Sequence, residues 1–206
     1  MNLPSQLLEQ AVAEFAKLPG VGKKTALRYV LHLLRQSPDD LKQWSHTVAR
    51  LAEEIHYCEI CFAISEKNKC EVCSNPSRDH STICVIEDIR DLIAIENTSQ
   101  YHGTYHVLGG IISPINGIGP MDLHIEPLLK RIEEGIVKEL IMALPSTMEG
   151  DTTNFYLYKR LSAFPVTLST LSRGVPIGDE LEYADEVTLG QSILMRIPYE
   201  SSLTRK

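Results

Sequence analysis

The sequence predicts an α/β protein composed of several units, and three observations support this fold class. Apolar residues recur at helical spacing on both sides of a glycine-rich turn within residues 7–34. Four of the five cysteines fall within sixteen residues, from Cys58 to Cys73. After Ser81, short apolar runs alternate with helical segments, which is typical of a parallel sheet. We therefore expect four consecutive regions: a helix-hairpin-helix region over 1–56, a four-cysteine module over 57–80, a parallel α/β domain over 81–176 and a C-terminal segment over 177–206.

The composition argues against a membrane protein and against a protein that coats nucleic acid over its whole surface. Of 206 residues 43% are hydrophobic, but no run approaches the roughly 18 apolar residues that a membrane helix needs. Because the amino terminus also lacks a basic leader followed by an apolar run, we expect a cytoplasmic location without membrane contact. The net charge is −7, yet residues 16–36 carry five bases and no acid. An anionic partner is therefore expected at the amino-terminal region.

The amino-terminal region predicts two helices joined by a glycine hairpin that can hold an anion. The turn Leu18-Pro19-Gly20-Val21-Gly22 separates two helical patterns. Its glycines allow the N–H groups at the start of the second helix to approach a phosphate. Three bases lie beside them in the sequence: Lys23, Lys24 and Arg28. The pattern is typical of a helix-hairpin-helix element that contacts the DNA backbone without reading sequence. The alternative is an ordinary helical hairpin with a solvated basic face.

A third helix is predicted over residues 39–57, since acids occupy its first turn and apolar residues share one face. The apolar face comprises Leu41, Trp44, Val48, Leu51 and Ile55. We expect Trp44 to be a core residue of this region.

The clustered cysteines predict a structural zinc site. They form two Cys-x-x-Cys pairs, Cys58 with Cys61 and Cys70 with Cys73. Each pair directs two thiolates at one point, and two pairs complete a closed tetrahedral shell around Zn²⁺. A closed shell leaves no open position for catalysis, so we predict one structural zinc ion per chain. Two disulfides or four unrelated thiols are the alternatives, which the lack of a secretory segment disfavours.

The region after Ser81 predicts a parallel sheet with helices between its strands. Buried strands are expected at residues 83–86, 105–108, 140–144 and 166–168. Helical periodicity covers residues 88–96, 125–134 and 153–161. Cys84 lies inside the first strand and is predicted to be a buried core thiol. Residues 183–196 are expected to form a terminal helix that contacts a neighbouring subunit.

Three acids follow predicted strands of this sheet. Glu87 comes directly after the first strand, and the turn Glu149-Gly150-Asp151 follows the third. In open α/β sheets ligands bind at the carboxyl ends of the strands. Three carboxylates converging there could hold Mg²⁺.

An acid that ends the first strand and an acid-x-acid pair after a later strand resemble the Toprim domain of topoisomerases, primases and some nucleases. Further motifs extend the likeness over nearly the whole chain. They are LPGVGKKTALR, CEIC and CEVC, YHVLGG, EGDTT and LSRGVPIGDELEYADEVTLGQSI. In this order and spacing they resemble the RecR family of bacterial recombination mediators.

The resemblance implies a protein that is not an enzyme. Members of this family assemble as dimers or ring-like tetramers around DNA and act with RecO and RecF to load RecA at single-strand gaps. The family's DNA-contacting bases match Lys24 and Arg28, and Lys23 stands where relatives often carry proline. The zinc ligands match the four clustered cysteines. Glu149 replaces the first aspartate of the Asp-x-Asp pair of catalytic Toprim proteins, which puts tight magnesium binding in doubt and leaves partner binding as a role for the acids.

Three functional hypotheses follow. The first is a non-catalytic DNA clamp and adaptor in recombinational repair. The second is a magnesium-dependent nuclease or strand-transfer enzyme of the Toprim class, for which divalent-dependent cleavage would be diagnostic. The third is a protein scaffold whose basic hairpin packs only against another subunit.

Overall fold

The computed structural model describes residues 3–175, 178 and 180–200 of the chain. It divides the protein into two compact units, Met1–Ile55 and His56–Lys206. Within the described residues, no helix combines the length and the apolar character needed to cross a membrane.

The first unit consists of three helices, α1 (Gln6–Phe15), α2 (Lys23–Leu33) and α3 (Pro38–Glu54). The hairpin turn between α1 and α2 requires glycine at position 20, whose φ of +74° is a left-handed conformation. The helices α1 and α2 pack around a small buried core, formed by Val12, Ala26 and Val30. The predicted pair of helices around a glycine hairpin is therefore present.

Helix α3 differs from its prediction in two ways. It ends at Glu54, and His56–Tyr57 instead forms a short strand, β1. None of its residues is fully buried. Trp44, which we expected in the core, is 44% exposed and stacks on Phe15 with ring centroids 5.9 Å apart. Helical periodicity identified the residues that share a face, but it could not show whether another element covers that face.

The second unit begins with the cysteine-bearing module. Strand β1 pairs with β2 (Ile64–Ser65) in an antiparallel hairpin that the sequence analysis did not predict. The short helix α4 (Glu71–Ser74) follows. Two strands and one helical turn thus hold the cysteine pairs.

A four-stranded parallel sheet forms the centre of this unit, as predicted. Its strands are β3 (Asp79–Ile86), β4 (Gly103–Val107), β5 (Glu139–Met142) and β6 (Thr167–Thr170). Their order is β4-β3-β5-β6, so β4 and β6 lie at the edges. All three strand pairs are parallel, with Ile83 opposite both Thr104 and Leu140.

Helices follow the strands at nearly the predicted positions. They are α5 (Ile89–Asn97), α6 (Ile125–Glu133), α7 (Met148–Leu161) and α8 (Glu186–Leu194). Helix α7 begins five residues before its predicted start, because Thr147 caps it by accepting a hydrogen bond from the Gly150 N–H. Helix α8 lies in the predicted C-terminal segment, of which residues 177, 179 and 201–206 are outside the described residues.

Alternation along β3 divides the core between the two faces of the sheet. Ile83 and Val85 belong to a buried cluster with residues of α6 and α7. Cys84 and Ile86 belong to a second cluster, which includes all four clustered cysteines. Cys84 is a buried thiol, as expected, and it belongs to the same buried cluster as the four cysteines of the module.

Candidate metal centre and nucleic-acid interface

The four clustered cysteines are brought together by local structure at two turns. Cys58 and Cys61 lie in the turn between β1 and β2, and Cys70 and Cys73 lie at the start and inside of α4. All four are buried, and their sulfur atoms lie within 4.8 Å of one another. The Cys61 and Cys70 sulfurs are 3.5 Å apart. A tetrahedral Zn–S₄ shell needs sulfur separations of about 3.8 Å, so the donor set and its spacing fit zinc.

The backbone directs hydrogen bonds at these sulfur atoms. The Cys70 N–H donates to the Cys58 sulfur at 3.3 Å, and the Cys73 N–H donates to the Cys70 sulfur at 3.4 Å. The hydrogen bond between Cys61 and Cys70 raises the pKa of Cys61 and lowers the pKa of Cys70. Ligation of a metal requires the thiolate form of each sulfur.

The first cysteine turn is closed by main-chain hydrogen bonds. The Phe62 N–H donates to the Cys58 carbonyl at 2.9 Å, and the Cys58 N–H donates to the Ala63 carbonyl at 2.8 Å. Phe62 has a φ of +62°, a left-handed conformation that is unusual for an aromatic residue. Its ring stacks on His124 with centroids 4.0 Å apart. This packing holds the residue after Cys61 in its unfavourable conformation.

The three bases that lie close together in the sequence, at positions 23, 24 and 28, line two different pockets in the structure. Lys24 and Arg28 line a groove of about 360 Å³ on α2. Lys23 instead lines a different pocket beside Glu9 of α1. Lys17 forms an ion pair with Glu14 at 2.6 Å.

Two further bases line the same groove and were not among the predicted DNA-contacting residues, although Arg35 is one of the five bases counted in residues 16–36. They are His32 and Arg35, which lie in the groove with Leu27 and Leu31. Lys24, Arg28 and His32 follow one another at intervals of four residues and therefore share a helix face. That spacing was the sequence signal that could have found His32. The groove thus presents a row of cationic and ionisable side chains that begins in the first turn of α2 and runs along the helix.

The three acids predicted at the carboxyl-terminal edge of the sheet, the sheet-edge acids Glu87, Glu149 and Asp151, have different surroundings. Burial is the main cause that raises the pKa of Glu87, with the nearby charges of Asp91 and Asp88 adding to it. Glu149 and Asp151 lie in the first turn of α7 rather than in the turn before it. Asp151 accepts a hydrogen bond from Arg173 at 2.6 Å.

The sheet-edge acids do not form a metal-ligand set in this structure. Among the described residues, the four cysteines are the only group of three or more histidine, cysteine or acidic side chains with ligand atoms within 4.8 Å of one another. Gly150 separates the two acids of α7, and a Cβ atom there would lie 1.9 Å from the Pro145 carbonyl oxygen. The glycine between the acids thus permits close packing of the loop against α7.

Comparisons with known proteins place the chain in a family. It is 60% identical over 193 residues to "Recombination protein RecR" of Phocaeicola vulgatus, with 94% of each chain covered. The chain belongs to the RecR family. It is also 56% identical to the RecR protein of Bacteroides thetaiotaomicron, with 94% of each chain covered, and 54% identical to that of Flavobacterium johnsoniae, with 98% of each covered.

Family profiles match four successive parts of this RecR-family chain. They are the RecR helix-hairpin-helix (residues 8–55), the RecR four-cysteine zinc finger (55–75), the Toprim domain (81–172) and the RecR C-terminal region (174–197). The predicted family and fold class are thereby confirmed. RecR relatives carry the name of a recombination protein, and the four-cysteine cluster of this chain falls in the family's zinc-finger region.

Proposed function

We propose that this RecR-family chain is a non-catalytic, DNA-binding mediator of recombinational repair. It acts with RecO and RecF to load RecA at single-strand gaps, as a homo-oligomer that is a dimer or a ring-like clamp. The single observation that carries the DNA-binding part is the α2 groove, where Lys24 and Arg28 lie together next to the glycine hairpin. A cytoplasmic location stays a prediction from the sequence.

The chemistry of the groove suits DNA phosphates. Gly22 is the N-cap of α2 and makes no side-chain capping bond, and a Cβ atom at Gly20 or Gly22 would meet nothing within 4 Å. An anion can therefore approach the positive end of the helix dipole without a steric barrier. Lys24 and Arg28 supply charge beside it, whereas Lys23, in the neighbouring pocket, is proposed as a third and weaker contact. Contacts of this kind give sequence-independent affinity that depends on salt.

The proposal includes one structural Zn²⁺ per chain, held by Cys58, Cys61, Cys70 and Cys73. When bound, the ion supplies cross-linking of two short turns and no open coordination position. Stabilisation of the module is the expected role, because a hairpin and a single helical turn have little core of their own.

For the sheet-edge acids we propose partner contact, not magnesium chemistry. The pairing of Asp151 with Arg173, and the lack of a three-carboxylate cluster among the described residues, argue against a magnesium site and leave partner contact as the role. Glu87, Glu149 and Asp151 would then be part of an acidic surface for a basic partner such as RecO or RecF.

The test is binding of a labelled gapped duplex over a range of salt concentrations, with Mg²⁺ present. Lys24→Ala/Arg28→Ala should lower the slope of log affinity against log salt by about 1.8, which is about 0.9 for each lost phosphate contact. Lys42→Ala is the matched control, because Lys42 lies on α3, is 80% exposed and is 3.8 Å from Asp39. It removes a positive charge of the same unit and should leave the slope near the wild-type value.

Each other outcome selects a different function. Unchanged DNA affinity in the double variant would favour the protein scaffold. Cleaved DNA on a denaturing gel, dependent on Mg²⁺, would favour the Toprim-class enzyme. Sedimentation that shows only monomer at micromolar concentration would contradict the oligomeric clamp.

A further inference from the structure

The four-cysteine module and Arg131 of α6 meet at the free edge of the parallel sheet. Because β4 is an edge strand, its outward backbone groups need partners from outside the sheet. The Val107 N–H donates to the carbonyl of Cys61 at 2.8 Å. The Tyr105 carbonyl accepts from Arg131 Nη1, also at 2.8 Å. These two contact points are two residues apart on one strand, or about 7 Å, so the guanidinium lies beside the metal-binding module.

Two further contacts fix the orientation of this guanidinium. Arg131 Nη1 lies 3.3 Å from His106 Nδ1, and Nη2 donates to the Thr104 hydroxyl at 3.4 Å. His106 Nε2 is 2.7 Å from the His124 carbonyl, so Nε2 carries the proton and Nδ1 is free to accept from Arg131. Burial lowers the pKa of His106 to about 3, which keeps the ring neutral. Arg131 is therefore the cation of this cluster.

The same cluster touches the cysteine module through Phe62. Its ring packs edge-on against His106 with centroids 5.5 Å apart. Phe62 directly follows Cys61, so a residue adjacent to one metal ligand contacts a residue that Arg131 also contacts. The guanidinium, the edge strand and the first cysteine turn thus form one continuous packed group.

Within the described part of the chain, Arg131 forms no ion pair with a carboxylate. Burial lowers the pKa of Arg131, and the strongest opposing effect comes from the side chains of Cys73, Cys61 and Cys58, which carry negative charge only as thiolates, ahead of the Glu134 carboxylate. A guanidinium nevertheless stays protonated in proteins, and a buried cation is stable only near compensating negative charge.

We propose that Arg131 is the counter-cation of the four-thiolate zinc centre and a positioning residue that links zinc occupancy to the β4 edge of the sheet. Four thiolates around Zn²⁺ sum to a charge of −2, which the guanidinium partly neutralises. The inference rests on the proposed zinc occupancy. It assigns to Arg131 a role in metal retention that neither the DNA-binding groove nor the sheet-edge acids require.

The test compares zinc retention in two Arg131 variants of the full chain. Arg131→Gln keeps an N–H donor for the Tyr105 carbonyl but removes the charge, whereas Arg131→Lys keeps the charge. Zinc transfer to a colorimetric chelator should show at least about tenfold weaker affinity in Arg131→Gln, as for other residues that support metal ligands, and a smaller loss in Arg131→Lys. Arg160→Gln is the matched control, because Arg160 forms a surface ion pair with Glu126 at 2.8 Å. It should retain zinc like the wild type.

A second readout separates metal retention from general destabilisation. The midpoint of thermal unfolding of each protein is compared with that of its own metal-free form, so a variant that is less stable overall still reports on zinc. The zinc-induced rise should be smaller in Arg131→Gln than in the wild type. An equal rise and equal zinc affinity would overturn the proposal, and so would Arg131→Lys losing as much affinity as Arg131→Gln. A wild-type chain that binds no zinc would instead refute the proposed metal centre itself.

Discussion

The two units of this protein differ in how many of their apolar and polar side chains are buried. In the amino-terminal unit the buried core consists of Val12, Ala26 and Val30, and α3 has no fully buried residue. In the sheet-bearing unit, buried clusters lie on both faces of the sheet, and the polar side chains of His106 and Thr104 are themselves fully buried.

This difference in burial shows in which unit the functional side chains can be substituted without destabilising the fold. The amino-terminal unit exposes its cations in a groove on α2, so the proposed DNA contacts depend on side chains that contribute little to folding. The sheet-bearing unit buries thiols and an imidazole in its core and packs a half-buried guanidinium against the imidazole, so its chemistry and its stability are linked. Substitutions should therefore separate binding from stability in the first unit and join them in the second.

Removal of a metal ligand should have the largest effect. Cys61→Ala should lose bound zinc and destabilise the sheet-bearing unit, because a structural zinc site contributes on the order of 10 kcal/mol to folding. Zinc content by mass spectrometry and the midpoint of thermal unfolding are the measurements. Cys84→Ala is the control, since Cys84 is a buried thiol of the same cluster but not one of the four clustered sulfurs. Full zinc content in Cys61→Ala would refute the four-cysteine site.

A Leu→Ala substitution in each unit should test this contrast through the free energy of unfolding. Leu140 is fully buried in β5, and Leu140→Ala should lower the free energy of unfolding by about 2–5 kcal/mol. Leu51 of α3 is 58% exposed, and Leu51→Ala should change stability by no more than about 0.5 kcal/mol. Denaturant unfolding measures both. A larger loss for Leu51→Ala that depends on protein concentration would show that another copy of the chain covers α3, and the contrast between the units would then fail.

The smallest of these effects is a dependence of stability on pH that arises in the second unit. The pKa of His106 is lowered from 6.5 to about 3 by burial, so the unfolded chain binds a proton that the folded chain does not. Stability contributed by the neutral ring is present above pH 6.5 and declines as the pH falls towards 3. Between pH 7 and pH 5 the wild type should lose about 2 kcal/mol more than His106→Gln.

This comparison is made by denaturant unfolding at saturating zinc, so that metal loss does not contribute. Equal pH dependence in the two proteins would show that folding does not lower the pKa of His106. The neutral ring would then contribute no pH-dependent stability between pH 7 and pH 5.

The sequence by itself determined the features that depend on short-range chemistry. The spacing of two Cys-x-x-Cys pairs predicted a cluster whose sulfurs lie within 4.8 Å, because each turn is built from neighbouring residues. Helical periodicity located α1 and α2 around Gly20, and the alternation of apolar runs with helices predicted the parallel sheet. The motifs in their order also identified the family, which the relatives confirmed.

Tertiary structure decided the features that depend on residues far apart in the chain. Arg131 contacts Tyr105, which is 26 positions away in the sequence, and Asp151 contacts Arg173, which is 22 positions away. No local sequence pattern predicts either contact. The exposure of α3 was also decided at this level, since periodicity defines an apolar face without supplying the element that would cover it. Long-range contacts are set by how strands and helices pack. This packing places a half-buried cation beside the cysteine-bearing module and leaves the α2 groove open.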